Sequence, residues 1–242
     1  MANLHSKRIF GNNVFYDTTE QRWVDAIGPG AIVFDALKHP FLALDDTTSK
    51  PTAYTVTVVD GGGDGGAVYT LNGGAFVLTT DDAEDDGLNV QLNGEMFAMN
   101  ASTKRVYFGI NFQINDATQS DVLAGLCITD TTLLGGMTDG VYFECLDGST
   151  DINFVLEKDS TETTSAAAVG TLADATNITL EFMFDGTYVD AWVDGVLQTR
   201  LVTTNLPNDE WLTPSIHLLT GEGAAQTMTV NWWRAIMVDG AK

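Results

Sequence analysis

Between Val106 and Ile114 every second residue is apolar: Val106, Phe108, Ile110, Phe112 and Ile114 share one side of an extended chain, and Tyr107, Gly109, Asn111 and Gln113 share the other. A period of two marks a β-strand with one buried face, because successive side chains point to opposite sides of the pleat. The second face suits a half-solvated or ligand-facing surface. Similar runs recur at Tyr54–Val59, Val68–Leu71, Ala75–Thr80, Asn89–Leu92, Val122–Thr129, Val141–Leu146, Ile152–Lys158, Ile178–Phe184, Tyr188–Val193, Val196–Leu201, Ser215–Leu219 and Met228–Val238. Asp-Gly pairs at 60–61, 86–87, 139–140, 147–148, 185–186 and 194–195 punctuate them, and both residues tolerate the positive φ of hairpin turns. Val169–Asn177 and Thr204–Asp209 read as loops. No segment keeps the helical period for ten residues with caps at both ends. The expectation is an all-β, two-sheet antiparallel jelly-roll sandwich.

Residues 1–50 differ. Gly11-Asn12-Asn13, Gly28-Pro29-Gly30 and His39-Pro40 interrupt short apolar pieces at Val14–Tyr16, Trp23–Ile27 and Ile32–Ala36. The segment is too apolar for a disordered tail. It either adds edge strands to the sandwich or forms an arm that orders against a partner. The chain divides at Thr47–Pro51 into an N-terminal segment, 1–50, and a sandwich, 51–242.

Charge separates the same two parts. The chain carries 33 acidic and 11 basic side chains, a net charge of −22. Residues 1–50 hold five basic and six acidic groups, so nearly all the excess lies beyond them. So acidic a body repels nucleic acid and anionic membrane, and neither is an expected partner. The near-neutral segment holds the side chains that interfaces favour, which makes Phe10, Phe15, Tyr16, Arg22 and Trp23 the candidate partner-binding residues. The polar start lacks the apolar core of a secretory leader, and Cys127 and Cys145 sit in apolar runs, so two buried free thiols from a reducing cytoplasm are expected.

Two resemblances add to this reading. The stretch 178–196, with its two strand-then-Asp-Gly units, followed by Leu206-Pro207, Leu212-Thr213-Pro214-Ser215 and 228–232, resembles the closing strands of concanavalin A-like lectin/glucanase (laminin-G-like) jelly rolls. The blocks 116–121, 128–143 and 157–163, with 11–17 and 24–30, resemble a family of tailed-phage and prophage virion proteins. That second likeness implies a structural role: capsid decoration, contact with the major capsid protein or another virion protein, and a homo-oligomeric state on the virion. The alternative is a carbohydrate-binding module on a virion appendage, aiding adsorption to the host.

Chemistry offers less. Asp190, Trp192 and Asp194 share a strand face, but Asp194 belongs to a turn and the paired carboxylates of a glucanase strand are absent, so no catalytic residue is assigned and no enzyme is expected. The acidic turn 81–87 has the oxygens to wrap a calcium ion but not the spacing of an EF-hand, so a solvated turn is the preferred reading; the glycine run 61–66 lacks the Lys-Ser/Thr of a phosphate loop, and no metal and no cofactor is expected. His5, His39 and His217 form no triad or zinc motif, and His217 is expected to face a sheet surface. Trp232 and Trp233 point to opposite faces of the last strand, so at least one is expected in the core; for the other, plain packing is the default and a sugar-stacking platform the alternative.

Overall fold

The computed structural model describes residues 4–18, 22–36, 52–59, 66–70 (backbone only), 75–165 and 167–240. The glycine run at 61–65, His39 and the expected boundary at 47–51 lie outside the described residues. Two antiparallel sheets stack face to face. The front sheet orders as β13 (Thr161–Thr164), β12 (Asp151–Lys158), β11 (Gly140–Cys145), β10 (Ser120–Cys127), β18 (Thr213–Thr220), β8 (Gly87–Leu92) and β5 (Tyr54–Val59), with the short β14 (Gly170–Thr171) also on β12. The back sheet orders as β17 (Val196–Val202), β16 (Tyr188–Val193), β15 (Ile178–Phe184), β9 (Lys104–Ile114), β19 (Thr227–Asp239), β7 (Ala75–Thr79) and β6 (Gly66–Thr70). β4 (Ala31–Asp35) completes this sheet by pairing with the second half of β19, whose first half pairs with β7. The fold is thus an all-β jelly-roll sandwich, as the alternation requires.

One face of each strand feeds a shared core. Val106, Phe108, Ile110, Phe112 and Ile114 are all buried there; Phe108 stacks on Phe182 of the adjacent β15, and Phe182 meets Phe143 and Phe154 of the facing sheet. β19 keeps its apolar side inward only by means of a bulge. Its register against β9 shifts between Val230 and Trp232, so the inward set passes from Met228 and Val230 to Trp233, Ala235 and Met237. The extra residue changes which parity faces the core. Trp233 is fully buried, edge-on to Phe34 at 5.0 Å and stacked on Tyr54 at 5.6 Å.

The N-terminal residues make a third, three-stranded sheet, β1 (Leu4–Ile9), β2 (Asn12–Asp17) and β3 (Trp23–Ile27). It packs on the outer face of the back sheet through Val14, Trp23 and Ala26 against Tyr107, Ile236 and Val238. The face of β9 that reads as half-solvated is therefore covered at Tyr107, and only Asn111 and Gln113 stay half-buried. The covering sheet is formed by residues far away in sequence, which alternation within β9 cannot reveal.

Candidate functional site

The front sheet turns a polar face away from the core, and cross-strand register fixes what stands on it. Thr57, Asn89, His217, Leu123, Glu144 and Asn153 form one row, and Thr55, Gln91, Ser215, Gly125 and Tyr142 form the next. Residues 128–139 leave the end of β10 and fold back over this face. Leu133 and Met137 of that loop are buried on Leu123, Cys127, Tyr142 and Val155, a small apolar cluster separate from the main core.

Two strand amides tether the loop. Gln91 donates from Nε2 to the Ile128 carbonyl at 2.8 Å and to Ser215 Oγ at 2.9 Å, and its Oε1 accepts from the Asp130 amide at 3.0 Å. Asn89 donates from Nδ2 to the Thr131 carbonyl at 2.6 Å. That orientation leaves Asn89 Oδ1 as an acceptor, and His217 donates to it from Nδ1. The imidazole is therefore the neutral tautomer with its lone pair on Nε2, and burial pushes its pKa down to about 3. His217 does face away from the core, as expected, yet it is only 1% exposed because the 128–139 loop covers the sheet there.

Where the loop stops short of the sheet edge a cleft of about 300 Å³ opens, lined by Thr55, Thr57, Gln91, Thr129, Asp130 and Thr131. Asp130 Oδ1 accepts from the Thr132 amide at 2.8 Å, and Glu95 Oε1 accepts from the Thr129 amide at 2.8 Å, so both backbone turns of the cleft wall are fixed. Together with the part-buried bonds of Asn89 and Gln91, these contacts hold the cleft wall in one shape. A second cavity, about 170 Å³, lies at one end of the sandwich among Met99, Asn100, Ser102, Phe184 and Leu206.

On the other side of the loop stands a group of carboxylates. Tyr142 donates its hydroxyl to Glu157 Oε2 at 2.9 Å, and Glu157 pairs across strands with Glu162. Burial first, then the Glu162 and Glu157 charges, push Glu144 up to about 7. A carboxyl whose folded pKa is raised contributes stability that is complete below its ordinary value of 4.5 and is lost as pH rises through about 7. Glu144→Gln should accordingly change little at about pH 4 and stabilise by ~1 kcal/mol at about pH 8, after allowing for partial exposure. Urea unfolding at the two pH values checks it, and equal effects at both would contradict the shift.

The other residues singled out by sequence lie elsewhere. Asp190 is held by Arg200 through two contacts of 2.5 and 2.7 Å, and Asp194 takes φ of 49° in the β16–β17 turn while its Oδ1 accepts from the Thr179 amide at 2.9 Å. Trp232 is half-buried, with the Arg22 and Arg234 guanidiniums 4.5 and 5.5 Å from its ring centroid. The five candidate partner-binding residues separate. Trp23 is 2% exposed and stacks on Tyr107, so its area is spent inside the molecule. Arg22 reaches the buried Glu181 at 3.3 Å. Tyr16 is half-buried beneath Lys7, Phe15 is half-buried on the opposite face of β2, and Phe10 is 40% exposed. Cys127 and Cys145 are buried free thiols, and burial pushes Cys145 up to about 12. In the 81–87 turn Asp82, Glu84 and Asp85 are exposed and Asp86 is buried, and no group of three metal-ligating side chains gathers among the described residues.

Sheet order and stacking give the protein a concanavalin A-like jelly-roll fold. The carbohydrate recognition domain of Emp46p in its potassium-bound form is similar, with a TM-score of 0.55 and 12% identity over 81% of this chain and 93% of that one. A protein of unknown function from Shewanella oneidensis MR-1 (TM-score 0.56, 9% identity, 88% of each chain) and the alginate lyase AlyC3 (TM-score 0.54, 9% identity, 78% of this chain and 91% of that one) share the fold. No protein-family model and no curated protein matches the sequence.

Proposed function

We propose that this protein is a non-catalytic carbohydrate-binding module whose site is the cleft on the front sheet. The observation that carries the proposal is the wall of that cleft: four threonines, a glutamine and an aspartate on a surface pinned by Gln91 and Asn89. Hydroxyl, amide and carboxylate groups in fixed positions suit a ligand that is itself a ring of hydroxyls, and preorganisation lowers the entropic cost of weak polar contacts. Likeness of fold to a carbohydrate recognition domain supports the reading. No aromatic side chain is among the described residues that line the cleft, so one sugar ring of about 12 heavy atoms at ~0.3 kcal/mol each should bind only in the millimolar range.

A glycan array probed with the multimerised protein is therefore the test, since multivalent display recovers weak sites. Binding is expected for the wild type and should fall at least about tenfold in Gln91→Leu, which removes three hydrogen bonds from the wall. An array on which the two behave alike would contradict the site.

The module is further proposed to serve on a phage particle. That part rests on the sequence resemblance and on one surface: Leu4, Phe15 and Ile27 stand on the outward side of the three-stranded sheet, where Leu4 is 57% and Ile27 62% exposed. An apolar strip on the least acidic part of the chain suits attachment to a protein partner such as the major capsid protein.

A further inference from the structure

We infer that the cleft takes an uncharged sugar residue and rejects acidic ones, with Asp130 as the discriminating group. The inference rests on the carbohydrate reading and specifies its ligand. Among the six lining residues there is no lysine, arginine or histidine, and the single charge is a carboxylate. The surrounding chain is net −22. A uronate or sialate entering such a cleft would give up water from its carboxylate and meet no cation among the described lining residues, and an unpaired charge placed beside a like charge disfavours a competitor.

The same groups favour a neutral ring. Asp130 Oδ1 is engaged by the Thr132 amide, which leaves Oδ2 to accept from a sugar hydroxyl in a charge-assisted hydrogen bond. Thr57 and the exposed Thr129 and Thr131 can each donate or accept, as a sugar hydroxyl does. The carboxylate cannot swing away from the cleft wall without breaking its turn, and that turn is tied to Gln91 through the Asp130 amide. Specificity is thus built on the second layer of the site as well as on its surface.

The test is calorimetric titration of the full chain with neutral hexasaccharides of glucose, mannose and galactose and with the hexasaccharide of galacturonic acid, at low and high salt. At least one neutral oligosaccharide should bind, and the galacturonate should bind at least about tenfold more weakly. In Asp130→Asn the gap should narrow at low salt, through weaker binding of the neutral sugar and better tolerance of the acidic one. Thr57→Val should weaken the neutral sugar and leave the discrimination intact, and Glu144→Gln, beyond the covering loop, should change neither. Galacturonate binding equal to or tighter than that of every neutral sugar would overturn the inference and leave the site standing, as would an undiminished gap in a folded Asp130→Asn. Failure of all four oligosaccharides to bind the wild type would sink the carbohydrate reading itself.

Discussion

A chain beginning at residue 51 should lose cooperative unfolding and collect as insoluble or molten material. Phe34 and Ala36 belong to the same core as Tyr54, Phe76 and Trp233, so the cut removes one wall of the cluster around the largest buried side chain of β19. It also strips β4 from β19 and leaves Arg234 without Asp35, whose carboxylate it meets at 2.8 Å in a buried pair. The three-stranded sheet goes with it, which uncovers Tyr107, Ile236 and Val238. Burial of each large apolar side chain is worth ~1.5–3 kcal/mol, and losing several at once approaches the 5–15 kcal/mol that holds a typical domain folded. A chain beginning at Ala31 keeps β4 and should unfold cooperatively at a lower midpoint. Thermal melts of the two truncations separate the cases. A sharp transition in residues 51–242 near that of the full chain would contradict the account of the core.

The second large effect concerns acid. His217 is held neutral by burial, with a folded pKa near 3 against an ordinary 6.5. A base whose folded pKa is depressed contributes stability that is complete above about 6.5 and is lost as pH falls toward 3. The full loss is on the order of 4 kcal/mol, enough to start acid unfolding before carboxylates of ordinary pKa are protonated. His217→Gln keeps a donor for Asn89 and removes the titration. It should cost about 1 kcal/mol near neutral pH and exceed the wild type in stability near pH 4, so that the two curves cross. Independently of folding in the variant, the wild-type ring should keep the neutral Nδ1–H spectroscopic signature until the protein unfolds. Titration of that ring near 6.5 in the native state would refute the burial argument.

Alternation reveals the sandwich because burial on one side of each strand forces it, and Val106–Ile114 carries the same five residues to the core in sequence and in structure. The bulge at Asn231 was not legible: adjacent tryptophans take opposite faces in any regular strand, and only pairing with β9 shows that Asn231 is the extra residue. The cover over Tyr107 and the loop over His217 were not legible, since each joins segments distant in the chain. The candidate site lay mostly outside what patterns can show. Asn89 and Gln91 read as the solvent side of a strand, and their actual work, pinning 128–139, depends on hydrogen bonds across 37 to 42 positions. Polar residues that prove fully buried on an otherwise regular strand were the only trace available.

Mapping the ligand by amide chemical shifts tests the central claim most directly. Titration of the isotope-labelled protein with a neutral oligosaccharide that it binds should perturb Thr55, Thr57, Gln91 and 129–132 first and most, with smaller changes at Asn89. Perturbations confined to the cavity around Met99 and Leu206, or to the face around Trp192, would place any sugar elsewhere and contradict the site.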